Sequence, residues 1–255
     1  MRFAPAPITW SSDGPSPPIP IPPPPPSAWS PRRRPSSPDP VPVTVKICGI
    51  NTADAMHAAV AGGAGYVGLM FYPASPRFLA LEAAARLAIP VPDGIERVGV
   101  FVDAPDEVIA RTLDAVPIDM LQLHGAEPPR RVAEIRNRFG LPVIKAIKIA
   151  GPDDLAEARI HESAADMLLF DAKPPVEMAD ALPGGNALAF DWRIIAGHRW
   201  PRPWMLSGGL TAANLGQAVG TSGAVRVDVS SGVETAPGEK DPALIRAFIQ
   251  AAAEA

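Results

Sequence analysis

The chain contains one cysteine, Cys48, which stands at the end of the apolar run formed by residues 43–47. A single thiol cannot take part in an intrachain disulfide, so it is either a small buried hydrophobe or a chemically active group. The β-branched residues before it predict a strand, and Gly49 allows a sharp turn that leaves one side of the thiol open. Cys48 is therefore a candidate for chemistry at a strand end.

Polar side chains also lie at the ends of other apolar runs. Asp171 closes the run 167–171, Gln122 and His124 belong to the run 120–124, and Asp228 belongs to the run 225–229. A carboxylate at the end of an apolar strand is costly unless it is paired, hydrogen-bonded or used. We expect these side chains to share a site with Cys48 if the strands lie in one parallel sheet.

From residue 43 onward, apolar runs alternate with alanine-rich amphipathic segments, and the pattern repeats eight times. Near-continuous apolar strands that are covered by helices indicate a parallel sheet, and eight such units fit a compact (β/α)8 TIM barrel. An open doubly wound sheet is the alternative, but residues 48–51 lack its glycine fingerprint. We predict strands at 44–48, 66–71, 97–102, 120–124, 142–147, 167–171, 204–207 and 225–229, with helices that include 52–61, 105–115, 128–138 and 153–161.

Small residues follow the last two predicted strands. They are Ser207, Gly208 and Gly209 after strand seven, and Ser230, Ser231 and Gly232 after strand eight. Loops at these positions of a (β/α)8 barrel commonly bind phosphate through backbone N–H groups. The alternative is that the glycines only make tight turns. Two adjacent loops favour phosphate binding, so we predict a small phosphorylated substrate.

The composition excludes several classes of protein. A chain of 255 residues with 47% hydrophobic residues can bury one core, and its net charge of -4 predicts no nucleic-acid partner. The single free cysteine indicates a reducing compartment, which predicts a cytoplasmic protein. The uncharged stretch 55–76 is interrupted by glycines and a proline, so we predict a helix and a strand there and no membrane span. The four histidines show no metal-ligand spacing, and no metal is predicted.

Residues 1–42 differ sharply from the rest of the chain. They contain five consecutive prolines at 22–26 and a basic patch at 32–34, with little apolar periodicity. We predict a disordered proline-rich tail, followed by a (β/α)8 catalytic domain at 43–255. A dispensable tail is favoured over a transit peptide or a PxxP ligand for an SH3-type partner.

Seven segments of residues 43–255 resemble, in order, the motifs of the phosphoribosylanthranilate isomerase family of tryptophan biosynthesis. They are KICG (46–49), FYPASPR (71–77), VGVFV (98–102), QLHG (122–125), FDW (190–192), LSGGL (206–210) and DVSSGVE (228–234). Seven matches in the right order are far more specific than any one of them. The family's (β/α)8 fold agrees with the strand prediction.

The resemblance implies an Amadori rearrangement of N-(5-phosphoribosyl)anthranilate to 1-(o-carboxyphenylamino)-1-deoxyribulose 5-phosphate, without a cofactor. This aldose–ketose isomerisation needs a general acid that protonates the furanose ring oxygen and a general base that removes the C2 proton. Cys48 resembles the family's base and Asp171 its acid. We expect the enzyme to be a monomer or a homodimer.

The remaining candidates keep two interpretations each. Arg77 is expected to pair with the substrate's anthranilate carboxylate, with a solvated loop arginine as the alternative. Asp228 accepts from the substrate or holds the neighbouring loop, and His124 lines the pocket beside Gln122 or is a satisfied strand-end histidine. A thiolate base needs positive charge nearby, but alternation puts Lys46 a full repeat below the thiol, so we expect it not to serve.

The segment 184–192 departs from the family pattern. Asn186 and Leu188 stand where the family usually shows a glycine-threonine-glycine-lysine lid segment, so we expect altered closure and affinity but the same reaction. Two other classes are open: a different phosphate-binding barrel, such as an indoleglycerol-phosphate synthase or a ribulose-phosphate epimerase, and a non-enzymatic scaffold whose polyproline tail recruits a partner. A synthase would use a lysine at an early strand end, and an epimerase would pair carboxylates or bind a metal. Cys48 with Asp171 fits neither enzyme.

Overall fold

The structure, a computed structural model, describes residues 42–174, 184–186 and 188–255. Eight parallel strands close into a barrel in which the last strand pairs with the first. They are β1 (Thr44–Cys48), β2 (Tyr66–Met70), β3 (Glu96–Phe101), β4 (Met120–Leu123), β5 (Val143–Ile149), β6 (Met167–Ala172), β7 (Trp204–Leu206) and β8 (Arg226–Val229). The predicted (β/α)8 fold is confirmed. The predicted tail, residues 1–42, lies outside the described residues apart from Pro42.

Seven α-helices surround the described part of the barrel. They are α1 (Ala53–Gly62), α2 (Leu81–Ala88), α3 (Asp106–Ala115), α4 (Pro129–Phe139), α5 (Leu155–His161), α6 (Leu215–Ser222) and α7 (Pro242–Ala253). Local sequence explains their ends: the Thr52 hydroxyl accepts from the Ala55 amide at the start of α1, and Gly63 ends that helix with φ 85°. Between β6 and β7 the described residues contain only a short 3-10 turn, Trp192–Ile194, where the repeat predicts a helix.

The stretch 55–76 forms most of α1 and all of β2, as predicted. No helix in the described ranges is long and apolar enough to cross a membrane. A feature that the sequence pattern did not predict follows β8. There, a 3-10 turn (Ser231–Val233) leads into the antiparallel hairpin of β9 (Glu234–Ala236) and β10 (Glu239–Lys240). This hairpin brings two charged residues back towards β1, as described below.

Strand alternation divides the core into two layers. Outward-facing side chains such as Val45 and Ile47 pack beneath the helices, while inward-facing ones such as Cys48, Val100 and Met205 fill the barrel. Lys46 also faces inward and is fully buried, so its charge requires a partner inside the barrel. Apart from Lys46 and its partner, the interior is thus apolar towards its middle, and its other polar groups lie near the carboxyl ends of the strands.

Candidate active site

A pocket opens at the carboxyl ends of the strands, which is the face that carries active sites in (β/α)8 barrels. The structure brings eleven of the twelve predicted site residues to its wall, and the twelfth, Gln122, lies beneath it. The lining residues among them are Cys48, Arg77, His124, Asp171, Ser207, Gly208, Gly209, Asp228, Ser230, Ser231 and Gly232. Residues that are distant in sequence therefore meet because their strands end on one rim.

A chain of polar contacts leads from the barrel interior to Asp171. Asp171 Oδ2 lies 3.1 Å from His124 Nε2, and Oδ1 accepts from the Ala172 amide at 2.9 Å. Gln122 Nε2 lies 2.8 Å from His124 Nδ1. Both interpretations of His124 therefore hold, since the ring lines the pocket and has a partner at each nitrogen.

Cys48 closes β1 and is buried at the bottom of the pocket. The expectation that Lys46 lies too far below Cys48 is wrong. An ideal Cβ added to Gly68 on β2 would lie 3.1 Å from Cys48 Sγ and 3.2 Å from Lys46 Nζ, so the two atoms share the space beside this glycine. Strand alternation determines the face on which a side chain lies, but it does not determine how far the side chain extends along the strand. The four-carbon side chain of Lys46 brings Nζ up towards the thiol of Cys48.

Asp228 on β8 pairs with the ammonium of Lys46. The two residues are register partners in adjacent strands, and Lys46 Nζ lies 2.7 Å from Asp228 Oδ1. The second carboxylate oxygen accepts from the Ser207 hydroxyl at 3.0 Å. Asp228 thus holds the loop after β7 and lines the pocket, and its predicted role as an acceptor from the substrate stays a prediction.

Arg77 is buried and is not a solvated loop arginine. Its Nε and Nη2 donate to the two carboxylate oxygens of Glu234, each at 2.7 Å, and Nη2 also donates to the Gly185 carbonyl at 3.2 Å. Among the described residues no partner is recorded for Nη1. The guanidinium of Arg77 is therefore fixed through Nε and Nη2, and its Nη1 is available to donate a hydrogen bond beside the pocket.

Glu234 binds a second cation from the hairpin. Lys240 Nζ lies 2.6 Å from Glu234 Oε1 and donates to the Ser230 carbonyl at 2.9 Å. Burial alone would raise the pKa of Glu234, but the two cations outweigh burial and lower that pKa. Glu234 is thus a charged carboxylate that fixes the position of Arg77 and of the loop after β8.

The segment after β6 crosses the pocket next to Asp171. Gly184, Gly185, Asn186 and Leu188 line the pocket wall. An ideal Cβ on Gly184 would lie 2.7 Å from His124 Nε2 and 2.9 Å from Asp171 Oδ2. Only a residue without a side chain fits this close to the carboxyl group. The altered segment therefore lies against the site, and its effect on affinity stays a prediction.

The two small-residue loops face each other across one end of the pocket. Gly208 and Gly209 have φ of 89° and 61°, and an ideal Cβ on Gly232 would overlap the Leu210 carbonyl oxygen. Asn214 ties the first loop by donating to the Gly209 carbonyl at 2.9 Å. Within the described ranges, the Gly208 and Gly209 amides donate to no other group. The loops thus present small residues and unused N–H groups of the kind that bind an anion.

Sequence reasoning did not identify three charged residues beside the pocket: Lys46, Glu234 and Lys240. Glu234 and Lys240 lie near the site only because the unpredicted hairpin folds back over β1. Strand periodicity argues against a role for Lys46 at the thiol, but a lysine inside an apolar strand is itself a signal for a buried partner. In the described part of the chain, no group of three or more His, Cys, Asp or Glu side chains is placed to hold a metal ion.

Comparisons with known proteins agree with this geometry. Residues 45–251 match the sequence profile of the family described as N-(5'phosphoribosyl)anthranilate (PRA) isomerase. The N-(5'-phosphoribosyl)anthranilate isomerase of Rhodospirillum centenum is 58% identical over 213 residues, which are 84% of this chain and 99% of that protein.

Two solved structures have the same fold. One contains monomers of the dimeric phosphoribosylanthranilate isomerase from Thermotoga maritima, with 36% identity, a TM-score of 0.72, and coverage of 84% of this chain and 100% of that one. The other is a phosphoribosyl anthranilate isomerase in complex with reduced 1-(o-carboxyphenylamino)-1-deoxyribulose 5-phosphate, with 34% identity, a TM-score of 0.70 and the same coverage. The chain belongs to the N-(5'-phosphoribosyl)anthranilate isomerase family.

Proposed function

We propose that this protein catalyses the Amadori rearrangement of N-(5-phosphoribosyl)anthranilate to 1-(o-carboxyphenylamino)-1-deoxyribulose 5-phosphate in tryptophan biosynthesis. One observation carries the proposal: a thiol at the end of β1 and a carboxyl group at the end of β6 face one pocket, next to the two small-residue loops after β7 and β8. Family membership supports the same reaction and argues against the other phosphate-binding barrels. In enzyme class this is an aldose–ketose isomerase.

Asp171 is the proposed general acid and Cys48 the proposed general base. Asp171 gives a proton to the furanose ring oxygen, and the ring opens to an iminium ion. The Cys48 thiolate then removes the C2 proton, which yields an enolamine. His124 orients the carboxyl group of Asp171 through its Nε2 contact. Each group thus acts on a different bond of the same sugar, which fits their positions on different strands.

The two ends of the substrate are both anionic, and the pocket offers a site for each. Arg77 Nη1 is the proposed donor to the anthranilate carboxylate, because Glu234 already occupies Nε and Nη2. The loops that contain Ser207–Gly209 and Ser230–Gly232 are the proposed phosphate site. A relative of this fold is described in complex with a reduced carboxyphenylamino deoxyribulose phosphate, which carries the same two anionic ends.

The proposal also covers the extent of the catalytic domain, the cellular compartment and the oligomeric state. The catalytic domain spans residues 43–255, and the protein acts in the cytoplasm as a monomer or a homodimer. The Thermotoga maritima relative is described as dimeric, so the homodimer has a precedent in the family. Sedimentation of the purified chain would decide between the two states.

The proposed activity can be tested by following the fluorescence of phosphoribosylanthranilate mixed with the purified chain. We expect the anthranilate-type emission to decay in proportion to enzyme concentration as the ketose product forms. A sample without protein controls for spontaneous decomposition of the substrate. If the emission decayed no faster with the wild-type chain than in that sample, the assigned reaction would be wrong.

The phosphate site predicts a specific effect of Gly232→Ala. The new methyl group meets the Leu210 carbonyl oxygen, so the loops after β7 and β8 must move apart. We expect KM to rise about tenfold or more with a smaller change in kcat, because the change weakens binding in the ground state and the transition state alike. Steady-state kinetics over a range of substrate concentrations measures this.

Gly216→Ala is a matched control for that variant. Gly216 lies in α6, and an ideal Cβ there has no neighbour within 4 Å. Alanine in a helix is about 0.5–1 kcal/mol more stable than glycine, so thermal unfolding should shift slightly upward while KM stays unchanged. An unchanged KM in Gly232→Ala would contradict the proposed phosphate site.

A further inference from the structure

Lys46 lies in an unusual place for a lysine, because its side chain is fully buried inside the barrel and contacts the pocket only from below. Its ammonium is bound by Asp228 Oδ1 at 2.7 Å. Burial acts to lower the pKa of Lys46, but Asp228 and Cys48 together outweigh burial, and the pKa of Lys46 is raised. The structure therefore holds a permanent positive charge beneath the pocket floor.

That charge is beside the sulfur of Cys48. Gly68 pairs with Cys48 in the adjacent strand, and a Cβ there would lie 3.1 Å from Cys48 Sγ and 3.2 Å from Lys46 Nζ, which is tighter than ordinary contact with either group. The missing side chain leaves one shared space, in which the ammonium and the thiol are neighbours.

We infer that Lys46 is a positioning residue whose ammonium stabilises the thiolate of Cys48. The inference rests on the proposed function, in which Cys48 acts as the base. In this arrangement Asp228 holds the ammonium in place, and Lys46 supplies the positive charge that a buried thiolate needs. The base is thus a cysteine–lysine ion pair rather than an isolated thiolate.

Other charged groups face Cys48 and must be weighed against Lys46. Burial raises the pKa of the thiol most strongly; Lys46 acts against it, Asp228 acts with it, and Lys240 on β10 lowers it by less than Lys46 does. Lys240 is itself bound by Glu234 on β9. Met70 and Gly68 are the neutral neighbours from β2.

His124, Asp171 and Arg77 line the same cavity as Cys48, and the side chain of Arg77 packs beside Gly49, the residue after Cys48. Each of them has its own partner, as described above, and none contacts the shared space beside Gly68 in the described structure. Lys46 is therefore the cation whose removal should change Cys48 most.

The test is a titration of the thiol itself, which is unambiguous because Cys48 is the only cysteine in the chain. Ultraviolet absorbance of the thiolate is followed against pH in the full-length wild type and in Lys46→Met and Lys46→Arg. We expect the thiolate fraction of Lys46→Met to fall about tenfold or more at a given pH, since an adjacent opposite charge shifts a pKa by roughly 1–3 units. Lys46→Arg should retain most of the wild-type titration.

Lys145→Met is the matched control. Lys145 is also buried, on β5, but alternation with the inward-facing Ile144 and Ala146 turns it towards the helices. It binds Glu127 at 2.9 Å, so its removal likewise leaves a buried carboxylate without its cation. Its position is four strands away from Cys48. We expect Cys48 in the Lys145→Met variant to titrate as it does in the wild type. An equal shift in Lys145→Met and Lys46→Met, or no shift in Lys46→Met, would overturn the inference.

A second pair of variants keeps the test decisive if Lys46→Met does not fold. Asp228→Asn is compared with the double variant Asp228→Asn/Lys46→Met, which has no orphan carboxylate. The thiol should ionise at a higher pH in the double variant, and identical titrations would overturn the inference. Because the readout is the thiol and not turnover, it is independent of whether Cys48 is the catalytic base.

Discussion

Replacing Cys48 with serine is expected to lower kcat by about 10²- to 10⁴-fold, the range that a general base contributes. Serine has nearly the same shape, but its hydroxyl does not ionise in the accessible pH range, so the C2 proton loses its acceptor. KM should change little, because the proposed anion sites at Arg77 and at the loops after β7 and β8 remain intact. Steady-state kinetics with the fluorescent substrate separates the two parameters.

The pH profile provides a second readout for the same variant. Burial raises the pKa of Cys48, so a larger fraction of the thiol is protonated at any given pH than in a free cysteine. The base acts as the thiolate, and kcat/KM of the wild type should therefore rise with pH from neutrality into the alkaline range. Cys48→Ser should lack that rise. If it kept near wild-type activity, the assignment of the base would fail.

Asp171→Asn is expected to lower kcat by a similar factor with an unchanged KM. The amide has the size of the carboxyl group and keeps an oxygen for the Ala172 amide, but it cannot release a proton to the ring oxygen. Stopped-flow fluorescence under single-turnover conditions would show whether ring opening has become the slow step.

Asp119→Asn is the matched control for Asp171→Asn. Asp119 also accepts from a neighbouring group through both carboxylate oxygens, at 2.7 and 2.8 Å from Arg97, but it lies at the amino end of β4, away from the pocket. The Asp119→Asn variant should retain wild-type turnover even if its thermal stability falls. Wild-type turnover in Asp171→Asn would exclude that residue as the acid.

The strands were predictable because a buried parallel strand leaves a continuous apolar run, and helices between them leave amphipathic ones. The predicted ends differ from the observed ones by only one or two residues, as at β2 and β5. Rim positions such as Cys48 and Asp171 followed from that register, since a barrel places all carboxyl ends on one face. The residues that line the pocket could therefore be predicted from the local sequence pattern and from one assumption, that the strands form a single barrel.

Contacts between strands were not predictable in the same way. Gln122 and His124 alternate onto one face of β4, but only the structure shows that Gln122 stays beneath the pocket and orients the histidine. Glu234 and Lys240 meet Arg77 and Ser230 because a short hairpin after β8 turns back on itself. Such a two-strand element is too short to leave a periodic signal.

By itself, the sequence determined the fold class, the strand ends and the chemical types at the rim of the barrel, because these depend on local periodicity and on motifs. The tertiary structure decided which charges meet. Strand periodicity places Lys46 one repeat below Cys48 and predicts that it does not reach the thiol. In the structure its flexible side chain brings the ammonium to the thiol, in the space that Gly68 leaves open. Periodicity defines the direction of a side chain, whereas its partners depend on the distances between strands that are far apart in sequence.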